Sequence, residues 1–183
     1  MKTYNILGFA GSLREKSFNK ALLRRAKEIA QDEIELEIFP LDDIPFYNDD
    51  LAISNPPQSV RAFREKIEKA DGLLIASPEY NFSISGVLKN ALDWAATDTI
   101  DNVISGKTIA IMGASKGNFG TTRSQLHLRQ VLFAANANVI NRPQVLVRNA
   151  GGLMDEAGNL QDADTIDRIR KLLTALLEAL KSQ

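Results

Sequence analysis

Short apolar runs alternate along this chain with longer amphipathic segments, and this alternation restricts the fold more than any other feature of the sequence. Such a pattern is typical of βα units, which build a parallel sheet covered by helices on both faces. We therefore expect a three-layer α/β sandwich, formed as a single domain over residues 1–183. The predicted strands are Tyr4 to Phe9, Ile34 to Phe39, Gly72 to Ser77, Thr108 to Met112, and one within Val139 to Val147.

The predicted helices carry apolar residues three or four positions apart, so that one stripe of each helix can pack on the sheet. Two segments rich in Pro, Gly, Asn or Asp, residues 40–57 and 149–162, are expected to be irregular. The apolar stripes are Phe18, Leu22, Ala26 and Ile29; Val60, Phe63, Ile67 and Ala70; and Ile166, Ile169, Leu173, Leu176 and Leu180.

The composition argues against several classes of function. With 22 basic and 23 acidic residues the formal net charge is -1, so no overall field favours nucleic acid or an anionic membrane as the main partner. The absence of cysteine removes disulfides, thiolate catalysis and Cys-based metal sites, and a single histidine argues against a His-built metal site. With a strand predicted from Tyr4 and no apolar run of membrane-spanning length, we expect a cytoplasmic protein without a metal.

The segment after the first strand combines groups that could bind a phosphate. Ser12, Ser17 and Asn19 supply side-chain donors. Arg14 adds a charged fork, and the following helix begins with free backbone N–H groups. The segment lacks the G-x-G-x-x-G spacing of a dinucleotide site, so a phosphate monoester suits it better than NAD as the bound group. The alternative is that Ser17 only caps the helix and Arg14 is a solvated surface residue.

Two further loops are expected at the same edge of the sheet. After the third strand, Tyr80, Asn81 and Phe82 offer planar groups that suit a flat heteroaromatic ring, although they could instead cap the core. After the fourth strand, the glycines within residues 113–122 allow a ligand to approach the backbone closely, although a mobile loop has the same composition. A phosphate and a large flat base together describe FMN, which would carry the chemistry itself, so we predict no catalytic side chain.

The run from Gly113 to Gly117 also matches the nucleophile elbow of serine hydrolases and follows a predicted strand. Under this alternative Ser115 would be the nucleophile and His127, the single histidine, would be its base. The order Ser, acid, His then requires an acidic residue between the two, and the sequence has no Asp or Glu there. The serine hydrolase therefore stays the weaker alternative.

Three motifs together resemble a known family. They are Gly11-Ser12-Leu13-Arg14 with Ser17 and Asn19, Pro78-Glu79-Tyr80-Asn81 with Ser83, and the run from Gly86 to Trp94. Over essentially its whole length the chain is similar to the NAD(P)H-dependent FMN reductase family, in particular the branch that includes bacterial quinone and chromate reductases. The resemblance implies a flavodoxin-like fold with a five-stranded parallel sheet of order 2-1-3-4-5 and noncovalently bound FMN.

The resemblance also implies which residues bind FMN. The first loop would hold the phosphate, the loop after the third strand would line the ribityl chain and the ring, and the loop after the fourth strand would flank the ring. Two positions depart from the family pattern, because relatives usually have proline where Ser85 stands and glycine where Thr121 stands. The implied set is Ser12, Arg14, Ser17, Phe18 and Asn19; Pro78, Glu79, Tyr80, Asn81 and Ser83; and Ser115, Lys116 and Gly117.

The activity that the resemblance implies is transfer of two electrons from NADPH or NADH through FMN to a quinone, free flavin, chromate or an azo compound. The nicotinamide would leave before the acceptor occupies the same flavin face, which predicts ping-pong kinetics. The resemblance implies a dimer or tetramer, and the predicted helix from Gln125 to Asn136 carries more apolar residues than one packed face needs, so we expect a homo-oligomer. The alternative is that this helix is buried between the sheet and the C-terminal helix. The alternative from another class is a flavin electron carrier for a protein partner, which the small net charge disfavours.

Overall fold

The computed structural model describes residues 2–183, and within them it contains a parallel sheet of six strands. The strands are β1 (Tyr4–Ala10), β2 (Ile34–Ile38), β3 (Gly72–Ala76), β4 (Thr108–Ala114), β5 (Asn138–Val139) and β6 (Val145–Val147). The first five lie in the order β2-β1-β3-β4-β5, and β6 also pairs with β4. Every pairing is parallel. The α/β sandwich and the strand order that the resemblance implied are confirmed.

The prediction of a single last strand within Val139 to Val147 is wrong, because this region forms two separate short strands, β5 and β6. β5 pairs with Thr108 and Ile109 at the start of β4, whereas β6 pairs with Met112 to Ala114 at its end. Pro143 lies between the two pieces and has no backbone N–H to donate to the ladder. Both pieces lie beside β4, so the sheet keeps the width of five strands.

Helices cover both faces of the sheet, as the alternating pattern predicts. In residues 2–183 they are α1 (Phe18–Glu28), α2 (Asp49–Ser54), α3 (Gln58–Lys69), α4 (Gly86–Ala96), α5 (Thr122–Ala134) and α6 (Ala163–Lys181). Helices α1 and α6 share one apolar core with Ile6 and Leu74, whereas α3, α4 and α5 share the other with Leu7 and Leu73. This partition follows from the strand period of two residues, which directs successive side chains to opposite faces. No helix in the described part of the chain combines the length and apolarity needed to cross a membrane.

The two segments expected to be irregular contain short ordered pieces. α2 forms within residues 40–57 because Asn48 caps it, its Oδ1 accepting a hydrogen bond of 2.9 Å from the backbone N–H of Asp50. A 3₁₀ turn, Ala150–Leu153, lies within residues 149–162. The helix predicted from Gln125 to Asn136 starts earlier, at Thr122, and ends at Ala134.

The fold brings three loops together at the carboxyl ends of adjacent strands. The backbone pairing continues one residue past the strand ends: the N–H of Gly11 donates to the carbonyl of Ala76 at 3.0 Å, and that of Ser77 to the carbonyl of Met112 at 2.9 Å. The loops that leave β1, β3 and β4 therefore start side by side. Ligands of open parallel sheets bind at this edge, where the direction of strand order reverses.

Candidate functional site

A cavity of about 400 Å³ opens between these three loops. We call it the polar cavity. Of the predicted FMN-binding set, all but Asn81 and Ser83 line it: Ser12, Arg14, Ser17, Phe18, Asn19, Pro78, Glu79, Tyr80, Ser115, Lys116 and Gly117. Residues outside the predicted set also line it, namely Phe82, Ala114, Phe119 and Arg123.

The start of α1 forms one wall of the polar cavity. Ser17 caps the helix, its Oγ accepting a hydrogen bond of 3.3 Å from the backbone N–H of Lys20. That bond uses the oxygen as an acceptor, so the hydroxyl hydrogen stays free to donate to a ligand. Ser12 is buried beside it, and Arg14 is exposed, with no hydrogen-bond or ion-pair partner within residues 2–183. This end of the cavity therefore offers donors and an uncompensated positive charge.

Asn19 has a different contact from the one expected of a phosphate ligand. Its Nδ2 donates to the carbonyl of Ala114 at 3.0 Å, and its Oδ1 accepts from the N–H of Ala114 at 2.9 Å. The two bonds satisfy both backbone groups at the end of β4 and join α1 to that strand. Asn19 thus holds two walls of the polar cavity together, and only one hydrogen of its side-chain amide remains for a ligand.

The loop after β3 turns sharply at Asn81 and Phe82. Tyr80 and Ser83 exchange two backbone hydrogen bonds of 3.1 and 3.0 Å, and the residues between them have φ of 49° and 67°. This is a two-residue hairpin with a left-handed backbone, a conformation that asparagine tolerates and phenylalanine rarely adopts. The turn places Ser83 outside the cavity, where a hydrogen bond of 3.0 Å joins its Oγ to Nδ1 of His127.

That contact bears on the hydrolase alternative. The imidazole of His127 is hydrogen-bonded to Ser83, whereas the Oγ of Ser115 donates to the carbonyl of Gly117 at 3.3 Å. The two residues of the supposed nucleophile and base pair are thus engaged with different partners. Within residues 2–183, the geometry gives Ser115 no base.

Glu79 links the loop after β3 (residues 77–85), which we call the ring loop, to α5. The first residue before this helix, Thr121, has φ of 68° and no side-chain capping bond. Instead, the carboxylate of Glu79 accepts from the backbone N–H groups of Arg123 at 2.9 Å and Ser124 at 3.2 Å, and from Nη1 of Arg123 at 3.2 Å. A carboxylate at a helix N-terminus satisfies free donors and opposes the helix dipole favourably. This cap from a distant loop explains why α5 begins before its predicted start.

Arg123 lines the polar cavity but is absent from the set of site residues predicted from the sequence. Its guanidinium carbon lies 4.2 Å from the ring centroid of Phe82 and 4.3 Å from that of Phe119. The charge is therefore held between two aromatic rings and against Glu79. Since its partners come from separate loops, local sequence patterns carry no signal for it.

The two departures from the family pattern have structural partners. Ser85 caps α4, accepting from the N–H of Leu88 at 3.1 Å and donating to the carbonyl of Gly11 at 2.6 Å. Thr121 is fully buried, and its Oγ1 lies 2.2 Å from the place where a Cβ on Gly113 would be. A side chain at position 113 would thus collide with Thr121, which occupies the space left by the glycine.

The polar cavity fits FMN by charge, shape and size. Arg14, Lys116 and Arg123 bring three cationic side chains to it, and its one carboxylate, Glu79, is already satisfied by α5 and Arg123. Aromatic rings border the other end, and no atom lies within 4 Å of the place where a Cβ on Gly117 would be, which leaves room for a ligand. A volume near 400 Å³ is within the range of small-molecule sites.

Comparison with known proteins identifies the family of the chain. A sequence model of the NADPH-dependent FMN reductase family matches residues 4–152. The chain belongs to this family. An NAD(P)H-dependent FMN reductase of Pseudomonas aeruginosa is 43% identical over 176 residues, which cover 96% of this chain and 92% of that protein. An NAD(P)H:quinone oxidoreductase of Solanum tuberosum is 43% identical over 177 residues, covering 93% and 90%. The family predicted from the three motifs is confirmed.

Solved structures of other flavoproteins have the same fold as this chain. The flavoenzyme NAD(P)H:(acceptor) oxidoreductase FerB of Paracoccus denitrificans superposes with a TM-score of 0.89 at 28% identity, covering 98% of each chain. A flavodoxin from the domain Archaea superposes with a TM-score of 0.62 at 9% identity, covering 97% of this chain and 99% of that one. The second likeness concerns the fold alone, and it confirms the flavodoxin-like architecture.

Proposed function

We propose that this member of the family is an FMN-dependent NAD(P)H oxidoreductase that reduces quinones. The balanced reaction is NAD(P)H + H⁺ + quinone → NAD(P)⁺ + hydroquinone, and bound FMN supplies the chemistry by accepting two electrons and passing them on. The observation that carries the proposal is the polar cavity, whose lining combines the unpaired Arg14 and the serine hydroxyls at the start of α1 with the exposed aromatic rings of Tyr80, Phe82 and Phe119.

The phosphate end of the cofactor is held by the start of α1 in this proposal. Arg14 neutralises the phosphate charge, and the hydroxyls of Ser12 and Ser17 donate to its oxygens. The free N–H groups of the first helical turn, at Phe18 and Asn19, add donors and a favourable dipole. Each hydrogen bond to a charged group contributes about 1.5 to 3 kcal/mol.

The ring end is oriented by the two other loops. Pro78 and Tyr80 line the cavity from the loop after β3, and Ser115, Lys116 and Gly117 line it from the loop after β4. Glu79 acts as a positioning residue, because its carboxylate joins the ring loop to α5. Asn81 and Ser83, which the resemblance implied as ligands, lie outside the cavity and act by shaping the turn. In this assignment the protein binds and orients, and no side chain transfers a proton.

Ping-pong kinetics are part of the proposal, since NAD(P)⁺ departs before the acceptor is reduced. The test uses purified protein loaded with FMN under anaerobic conditions. Addition of NADPH or NADH should bleach the flavin absorbance, and addition of menadione should restore it. Initial velocities with both substrates varied should give parallel double-reciprocal lines. Failure to bind FMN at micromolar concentration would overturn the proposed function, and an NAD(P)H-inert flavoprotein would favour the electron carrier.

We also propose that the chain forms a homodimer or homotetramer through α5. Leu126 and Phe133 lie seven residues apart on α5, so they share one face of the helix, and they are 60% and 83% exposed. An apolar stripe of this exposure is typical of a protein interface. Light scattering after size exclusion should give a multiple of the 20.2 kDa chain mass. The Leu126→Glu, Phe133→Glu double variant should be monomeric, whereas Ile53→Glu, an exposed control on α2, should not change the mass.

A further inference from the structure

A buried pair of serines joins the base of the ring loop to α5. Ser77 and Ser124 are both fully buried, and their Oγ atoms lie 2.7 Å apart. Neither residue lines the polar cavity. A buried hydroxyl lowers the stability of a fold unless it is hydrogen-bonded, so the partners of this pair indicate its role.

Both hydroxyls lie within hydrogen-bond distance of the carbonyl of Pro78. The Oγ of Ser124 donates to this carbonyl at 2.8 Å. The Oγ of Ser77 lies 3.1 Å from the same oxygen, so its one hydrogen can go to the carbonyl or to Ser124. The carbonyl is thus held inward, toward α5. The two serines therefore fix the orientation of the peptide unit between Pro78 and Glu79.

This orientation decides where the N–H of Glu79 points. The peptide unit is trans, and in a planar trans unit the N–H is directed opposite to the C=O. Helix α5 packs on one face of the sheet and α1 on the other. The N–H of Glu79 is therefore directed away from α5, toward the side where the start of α1 forms a wall of the polar cavity.

The N–H of Glu79 is also free to donate. At the start of the ring loop, Ser77 and Tyr80 donate their N–H groups to other backbone carbonyls, and Pro78 has no N–H. Within residues 2–183, the N–H of Glu79 has no hydrogen-bond partner, whereas its carboxylate is bound to α5. Glu79 thus offers a ligand in the polar cavity a backbone donor, because its charge is already engaged.

We infer that Ser77 and Ser124 are positioning residues, which aim the N–H of Glu79 at the ring of bound FMN. The inference rests on the proposed function and adds how this chain tunes its cofactor. Reduction places more negative charge on a flavin ring, so a hydrogen-bond donor stabilises the reduced ring more than the oxidised one. The serine pair should therefore raise the midpoint potential of bound FMN.

The test removes the two hydroxyls singly and together. The Ser77→Ala, Ser124→Ala double variant leaves the carbonyl of Pro78 without a donor, so the peptide unit can turn and the N–H of Glu79 can leave the ring. Relative to oxidised FMN, reduced FMN should bind about tenfold more weakly than in wild type, which lowers the potential of a two-electron couple by about 30 mV. Ser124→Ala, which loses the 2.8 Å bond, should lower the potential less, and Ser77→Ala, which keeps that bond, least of all.

Two measurements on each FMN-loaded protein give the result. An anaerobic spectrophotometric titration against a reference dye gives the midpoint potential, and quenching of FMN fluorescence gives the affinity for oxidised FMN. Thr165→Val is the matched control, because it removes another buried hydroxyl, which belongs to the cap of α6 and lies outside the lining of the polar cavity. This control should lower the stability of the fold without changing the potential.

A wild-type potential in Ser124→Ala or in the double variant would overturn the inference. An equal loss of affinity for oxidised and reduced FMN would also overturn it, because the pair would then only support the loop. If the double variant does not fold, Ser124→Ala decides alone. If the wild-type protein binds no FMN, the proposed function itself is wrong, which is a separate result.

Discussion

Arg14 is exposed beside two buried serine hydroxyls, Ser12 and Ser17, and no protein carboxylate within residues 2–183 pairs with it. An arginine in such a place contributes to binding more than to folding, because its removal leaves no buried cavity and no unpaired partner. A substitution at Arg14 can therefore change the affinity for the cofactor without changing the stability of the fold.

We expect Arg14→Ala to weaken FMN binding about 10- to 150-fold, the loss of one charge-assisted contact of about 1.5 to 3 kcal/mol. The thermal unfolding midpoint of the cofactor-free protein should not change. Quenching of FMN fluorescence on titration measures the affinity. Lys16→Ala, an exposed control in the same loop and outside the cavity lining, should bind like wild type. Equal affinity in Arg14→Ala would remove this residue from the site.

Glu79 shows how one residue acts through another element. Its carboxylate satisfies backbone donors of α5 from a loop 44 residues earlier in the chain. Glu79→Ala should lower the free energy of unfolding by about 1 to 2 kcal/mol, the usual loss for a helix cap. Urea denaturation of the cofactor-free protein measures it. The exposed Glu156→Ala should behave as wild type, and a Glu79→Ala variant of full stability would refute the capping role.

At the scale of elements, α6 is held by a pH-sensitive cap. Asp162 accepts hydrogen bonds from the Thr165 hydroxyl at 2.6 Å and from the Thr165 N–H at 2.8 Å, and these contacts lower the pKa of its carboxyl. A carboxyl whose pKa is lower in the folded chain stabilises the fold fully above its unfolded pKa of about 4. That contribution is lost as pH falls through the lower, folded value.

We therefore expect Asp162→Ala to cost about 1 kcal/mol at neutral pH and progressively less below about pH 4. Urea unfolding of both proteins across this range gives the difference directly. Asp164→Ala, in the first turn of the same helix but without the Thr165 contact, should cost less. A difference that stays constant on acidification would show that the carboxylate charge is not what caps α6.

Sequence periodicity predicts most strands and helices well, but it predicts poorly where a strand is interrupted or where a helix begins. The strands from Tyr4, Ile34, Gly72 and Thr108 begin where expected because a buried parallel strand needs a short apolar run. The break between β5 and β6 and the early start of α5 were not predicted, since one depends on pairing with β4 and the other on Glu79. Contacts between distant segments leave no periodic signal.

For the whole molecule, cofactor binding should stabilise the fold by mass action. At an FMN concentration about 100-fold above Kd the gain is about 2.7 kcal/mol, which raises the unfolding midpoint of a chain this long by roughly 5 to 10 °C. Differential scanning calorimetry measures the shift. Riboflavin at the same concentration, lacking the phosphate, should produce a clearly smaller one. Equal shifts for the two flavins would mean that the start of α1 does not hold a phosphate.

The sequence alone determined the α/β class, the three loops that end the central strands and the family, because periodicity and short motifs are local properties of a chain. Only the tertiary structure decided that the amide of Asn19 is engaged with Ala114, 95 residues away, and that Glu79 caps α5. It also decided that Tyr80 lines the polar cavity with its hydroxyl 3.4 Å from the Oγ of Ser12, a residue of another loop. Hydrogen bonds and packing between remote segments depend on where the loops lie in the folded sheet. The spacing of residues along the chain does not specify those positions.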